Sequence, residues 1–376
     1  MTSGFLRIRR LMAWGAVAAL SVLGACGGGD ELSSSKPSFT SVVSFGDSLS
    51  DVGSYASATS LTGNGQAPYF GGKFTTNSAQ GTVWVENIAK ALGLAITPHE
   101  MGFAGQSVLC PSSAQGAAAT CTGYAQGGAR VTDPNGLGKS GGALTVPVKT
   151  QIANHLSQFA GYTEHDLVFV YAGSNDAFAQ FDTFTAVATT ATDPATVAQA
   201  QAQAALAMDT AAQELAGYIT ASILGKGAKY VAVLGLPDAA RTPLGASLPA
   251  NVAPVLTALV NTFNEALRKG LQGQPVLWID SNQIFADTIQ NPAASGLVNV
   301  SAVACDSAKI SALTRGAVTN GSSLFCNSTV GAAYNGMVTG ADPDTWLWAD
   351  GVHPTTGGHK ALGLGVAKAL KAAGWL

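Results

Sequence analysis

Charge is what this sequence lacks most: only 11% of its 376 residues are Asp, Glu, Lys or Arg, while 47% are hydrophobic. That balance excludes the charge-rich, aromatic-poor composition of a disordered chain and leaves ample material for a large core. Basic runs are missing too, and a formal net charge of −3 gives nucleic acid no electrostatic footprint to hold. No internal repeat and no Pro/Ser-rich linker interrupts the middle, so one domain with long loops is expected despite the length. None of the five cysteines stands in a C-x-x-C pair, which argues against a metal site; neither metal nor cofactor is expected. Histidine is equally scarce. His99, His155, His165, His353 and His359 are all the imidazoles that a general base could come from.

What is present begins with an export signal. Arg7, Arg9 and Arg10 precede a short apolar core over residues 11–23, too brief to span a bilayer as a mature helix. Residues 1–25 therefore read as a signal peptide. Leu23-Gly24-Ala25-Cys26 followed by Gly27-Gly28-Gly29 resembles the lipobox and tether of bacterial lipoproteins, the other reading being a plain small-residue cleavage site that ends in Cys. Lipidation of Cys26 would anchor the protein in a membrane through residues 26–38, a flexible tether, with residues 39–376 as the folded domain. It would also leave an even number of cysteines, as an oxidising compartment favours. Of three possible pairings, local closure favours Cys110 with Cys121 and Cys305 with Cys326, each worth about 3 kcal/mol on the chain-entropy model. The protein is expected outside the cytoplasm, as an outer-membrane lipoprotein or secreted, and as a monomer.

Strands come next. Residues 39–45 form a β-branched and aromatic run closed by Gly46-Asp47. Residues 166–172 (DLVFVYA), 229–236 (KYVAVLGL) and 275–280 (PVLWID) have the continuous apolar character of strands buried on both faces. Helical stretches alternate with them: 84–92, 148–159, an Ala-rich 194–224 stopped by Gly225, 254–267, and a last helix reaching about Ala372. Such alternation predicts an α/β fold: a parallel central sheet with helices on both faces. In open α/β sheets ligands bind outside the carboxyl ends of strands, so polar residues in the exits FGDSLSDVG, GSND and LPDAARTP become candidates.

Those exits carry the parts of nucleophilic catalysis. A serine needs a base, the base an orienting group, and the developing oxyanion aimed donors. Ser48 stands at the first strand exit. His353 follows Asp350 by three positions in a Gly-containing turn, so one loop can hold the carboxylate against Nδ1 and leave Nε2 free. His155 and His165 have polar neighbours and read as solvated, His99 lies in a loop, and His359 is expected at the surface of the final helix. Asn175 at the second exit can donate its amide, and Gly127-Gly128 can bring a backbone N–H close to a substrate. Asp47 and Asp51 read as loop braces and caps, Asp176 as a turn brace, and Trp346 and Trp348 as core beside the His loop, with a place in the wall of an acyl groove as their other reading.

Together these residues match a family pattern. FGDSLSDVG (45–53), GYAQGGARVT (123–132), GSND (173–176) and DGVHPT (350–355) occur in the order seen in GDSL or SGNH hydrolases, and the chain resembles their bacterial lipase, lysophospholipase and autotransporter-esterase branch. PYFGGKF (68–74), TVWVENIA (82–89), Phe263-Asn264 and NPAASGL (291–297) extend the resemblance over nearly the whole mature chain. It implies a flavodoxin-like three-layer α/β/α sandwich and Ser48 as nucleophile, with Asp350 and His353 as acid and base. The implied oxyanion hole comprises Ser48, Gly128 and Asn175. The substrate implied is an ester or lipid. In keeping with that fold, no G-x-S-x-G elbow surrounds Ser48. Gly123 stands where the second block usually has Asn, and Ala349 separates Trp348 from Asp350. Related readings are a carbohydrate O-acetyl esterase or an acyltransferase; a ligand-binding lipoprotein is the reading without chemistry. Specificity is expected in the loops 54–81 and 298–342.

Overall fold

In the computed structural model, residues 36–59, 70–110 and 120–376 are described; the expected signal peptide, Cys26 and most of the tether lie outside them. The centre is a four-stranded parallel sheet in the order β1 (Ser41–Gly46), β4 (Asp166–Tyr171), β5 (Tyr230–Leu234), β6 (Val276–Ile279). These are the four apolar runs, and their apolarity follows from burial on both faces. Val43, Phe45, Val168, Val170, Val231 and Val233 point into one core layer, and their neighbours Val42, Leu167, Phe169, Ala232 and Leu234 into the other.

Helices cover both layers. On the first face pack α2 (Val148–Phe159), α3 (Ser174–Ala188), α4 (Pro194–Tyr218) and α6 (Ala253–Gly270); on the second, α1 (Trp84–Ala91), α7 (Ser281–Gln290) and α9 (Thr356–Ala372). The result is a three-layer α/β/α sandwich. Helix α4 starts where Asp193 caps the Thr196 amide and Pro194 occupies the first turn. Its end differs from expectation: the chain passes through a π turn (Ile219–Ile223) and a 3-10 turn (Leu224–Lys226) and stops at Gly227, with φ 103°, rather than at Gly225.

A further edge is not apparent from residue type. Residues 122–126 run along the free side of β1: Ser44 donates to Thr122 (3.0 Å), Tyr124 to Ser44 (2.8 Å) and Gln126 to Gly46 (3.2 Å). Counting this edge as the second strand, the sheet order is 2-1-3-4-5, the flavodoxin-like winding, and the direction of winding reverses at β1. The carboxyl end of β1 is thus the switch point where a ligand crevice opens. Smaller elements surround it: a hairpin of β2 (Glu100–Phe103) and β3 (Gln106–Leu109), a parallel pair of β7 (Asn299–Val303) and β8 (Trp346–Trp348), and short helices α5 (Pro243–Ser247) and α8 (Ser307–Leu313).

Two histidines are not where residue type puts them. His155 is buried among Phe45, Tyr124, Phe159 and Tyr162, because its side of α2 meets the β1 layer. His359 is fully buried where α9 packs on α1. His165 is exposed, as expected.

Candidate active site

Gly46 ends β1 so close to β4 that a Cβ there would meet the Tyr171 carbonyl oxygen at 2.0 Å. Gln151 of α2 clamps it from the other side, accepting from its N–H (2.9 Å) and donating to its carbonyl (2.8 Å). Asp47 then caps a short 3-10 turn, Ser48–Ser50, accepting from the Leu49 amide. Ser48 opens that turn at the mouth of the crevice.

His353 arrives from the other end of the chain. His353 Nε2 stands 2.8 Å from Ser48 Oγ, and its Nδ1 lies 2.9 Å from both oxygens of Asp350. One carboxylate organises this turn: Asp350 Oδ1 accepts the backbone N–H groups of Val352 (3.0 Å) and His353 (2.8 Å), and Oδ2 accepts that of Ser323 (2.8 Å). Burial works to raise the Asp350 carboxyl, but the His353 imidazole and the bonds from His353, Ser323 and Val352 outweigh it and hold the group well below the usual carboxylate range. An ionised carboxylate can only accept, so the bond to Asp350 is donated by His353 Nδ1.

Gly128 and Asn175 line the same cleft as Ser48 and His353. Gly128 adopts φ +79°, and a Cβ on it would lie 2.0 Å from the Leu137 carbonyl oxygen, so no other residue fits. Neither its N–H nor that of Ser48 donates to a protein acceptor among the described residues. Asn175, in the first turn of α3, spends one amide hydrogen on the Ala129 carbonyl (2.9 Å), which fixes the amide plane while the other hydrogen stays available.

The glycine segment is braced from three sides without an Asn at 123. Asp51 accepts from Gly127 (2.9 Å) as well as from Gly53 and Ser54, the Tyr55 hydroxyl donates to the Gly127 carbonyl (2.7 Å), and Asp176 accepts from Val131 (2.9 Å) and pairs with Arg130. A side chain at Gly123 would instead strike Val52 at 2.5 Å. Asp47 and Asp51 are both fully enclosed, and burial, against the amides that bond them, pushes each carboxyl up to about 6.

The cleft measures about 460 Å³ and its walls are mainly apolar. Ala177, Phe178, Leu236 and Val260 line it together with Tyr55, Phe74, Phe103 and Leu137, and Val318, Leu324 and Phe325 come from the long loop before β8. Phe74 and Phe325 fall within the loops expected to carry specificity; Phe103 and Leu137 lie outside them. Trp348 is core, stacked on Phe285 at 5.6 Å with its indole N–H on the Val300 carbonyl, and neither it nor Trp346 lines the cleft. The Cys110–Cys121 and Cys305–Cys326 bridges are both present.

Comparison with known proteins adds the family. Residues 42–366 match the family described as GDSL-like Lipase/Acylhydrolase. The chain is also similar to the crystal structure of an extracellular lipase from Streptomyces rimosus, at 16% identity and a TM-score of 0.39, over 89% of this chain and 99% of that one. No curated protein sequence matches it. With all four motif blocks meeting at the end of β1 inside the matched span, the chain belongs to the GDSL-like lipase/acylhydrolase family.

Proposed function

We propose that the protein is an exported serine esterase that cleaves carboxylic esters through an acyl-enzyme on Ser48. The observation that carries this reading is the His353 imidazole, bonded at Nε2 to Ser48 Oγ and at Nδ1 to Asp350. His353 takes the Ser48 proton as Oγ attacks the ester carbonyl, Asp350 stabilises the imidazolium, and the oxyanion is met by the N–H groups of Ser48 and Gly128 and the Asn175 amide. The imidazolium then protonates the leaving alcohol. Water, deprotonated by the same His353, releases the acid.

The apolar walls support an acyl chain rather than an acetylated sugar as the group that is bound, and a cleft of this size suits single-chain esters, lysophospholipids among them. A purely ligand-binding role gives no reason for the Ser48, His353 and Asp350 alignment. Two disulfides support an oxidising compartment, and acylation at Cys26 remains part of the proposal for how the protein is held there.

The test is a panel of p-nitrophenyl esters, lysophospholipids, phospholipids and acetylated sugars, with Ser48→Ala as control. Acyl esters should be cleaved without added metal, a fluorophosphonate should label Ser48, and Ser48→Ala should lower turnover by roughly 10⁶. A folded protein that neither takes the label nor loses activity in Ser48→Ala would overturn the reading.

A further inference from the structure

Asp350 is held by two separate stretches of chain. Its Oδ1 takes amides of its own turn, but its Oδ2 takes the backbone N–H of Ser323, 27 positions earlier. Ser323 opens a 3-10 turn, Ser323–Phe325, and Cys326 closes that turn by donating to the Ser323 carbonyl (3.0 Å). Cys326 is bonded to Cys305, and the Cys305 amide donates to the carbonyl of Ala349 (2.9 Å), the residue before Asp350. The bridge therefore completes a ring around the carboxylate: Asp350, Ser323, Cys326, Cys305, Ala349. Both cysteines are buried, in a small apolar cluster with Ala304, Ile310, Met337 and Ala349. The same turn presents Leu324 and Phe325 to the cleft.

We propose that Ser323, through its backbone N–H, is a positioning residue for the Asp350–His353 pair, and that the Cys305–Cys326 bridge sets it in place, so that full turnover appears only after oxidation. The inference rests on the reading of Asp350 as the catalytic acid. Closing the bridge removes two protons and two electrons from the two thiols. An external protein disulfide accepts them by thiol–disulfide exchange and leaves as a dithiol. Disulfide donors of that class act outside the reducing cytoplasm. Newly made chains are thereby kept at low turnover toward the cell's own lipid esters until they have been exported.

Ser323→Pro tests the positioning step directly. Proline suits the first position of a helical turn, where only the N–H is lost, and Ser322, at φ −48° and ψ 126°, already has the backbone that precedes proline. A charge-assisted bond to the acid is removed, so kcat on p-nitrophenyl butyrate should fall about 10–100-fold, with KM within about threefold and the melting temperature close to wild type. The double substitution Cys305→Ser with Cys326→Ser should lower kcat about tenfold or more by the same loss, while Cys110→Ser with Cys121→Ser leaves it unchanged. Should the first double variant fail to fold, wild-type protein reduced after folding and counted for free thiols supplies the same reading. Folded Ser323→Pro and bridge-free proteins with wild-type kcat would sink the inference. Ser48→Ala, assayed alongside, separates the two failures: if it stays active, the triad reading itself falls, and if it is inactive while the others are normal, only the present inference does.

Discussion

The phenyl ring of Phe74 lies against the imidazole of His353, centroids 4.8 Å apart and planes tilted by 38°. Phe74 is itself fixed twice, edge-on by Tyr55 (6.0 Å) and through its carbonyl by His359 Nε2 (3.2 Å), whose Nδ1 accepts from the Trp84 amide (3.4 Å). Burial pushes the His359 imidazole down to about 3, which keeps it neutral and able to accept at Nδ1. His353 is thus backed by a chain of contacts that starts where α9 meets α1. Phe74→Ala removes one aromatic contact, worth about 0.5–1.5 kcal/mol. It should lower kcat by roughly 3–10-fold on a folded protein. Steady-state kinetics beside a thermal melt would check this; an unchanged kcat would mean that the ring only lines the cleft.

On the proposed mechanism, Asn175→Ala removes a donor to charge that exists only in the transition state. Its kcat should fall by roughly 10²–10³ with a much smaller change in KM. Because the same amide bonds the Ala129 carbonyl, Asn175→Asp, which keeps the shape but not the donor, should be equally slow. A variant altered in KM alone would count against the oxyanion role.

Val260, on α6, is 2% exposed and forms part of the cleft wall. Val260→Phe should fill the space that the far end of an acyl chain would use. Each buried methylene is worth about 0.8 kcal/mol, so excluding two of them should lower kcat/KM for octanoate relative to acetate by roughly tenfold. Equal losses on both esters, or none, would place the acyl chain elsewhere.

His155 makes stability depend on pH. Burial pushes its imidazole down to about 4, whereas an unfolded chain takes the proton near 6.5. Its contribution is therefore fully present above about pH 6.5 and is lost as pH falls from there toward 4. His359 acts in the same sense, down to about 3. Asp47 and Asp51 act in the opposite one: each is raised to about 6, so their contribution is present below about pH 3.8 and lost as pH rises toward 6. In urea unfolding at pH 7 and pH 4.5, His155→Phe should lose less stability on acidification than wild type, by roughly 2 kcal/mol. Identical pH dependence in the two proteins would show that another group carries the effect.

How far the sequence could be read follows from the range of each interaction. The strands were legible because burial on both faces requires long apolar runs, and DLVFVYA or KYVAVLGL admits no solvent face. The Asp350–His353 pair was legible because three positions in one turn are enough to bring the two together. Residues 122–126 were not, since TGYAQ has no apolar run and joins the sheet only because β1 offers a free edge. His155 was misplaced at the surface because its neighbours Asn154, Ser157 and Gln158 are polar, and His359 because its place in the last helix was the only guide, while the groups that enclose both come from other elements. Ser323 left no trace at all: its contribution is a backbone N–H, which every residue but proline possesses.

Local spacing alone determined the alternation of strands and helices, the Gly46-Asp47-Ser48 exit and the Asp350–His353 turn, because each is settled within a few residues of chain. Only the tertiary structure decided that Ser48 meets His353 across 305 positions, that Trp84 meets His359 across 275, and that the amide of Ser323 reaches Asp350. These contacts depend on which buried faces close on one another, and packing of that kind is a property of the assembled core rather than of any segment within it.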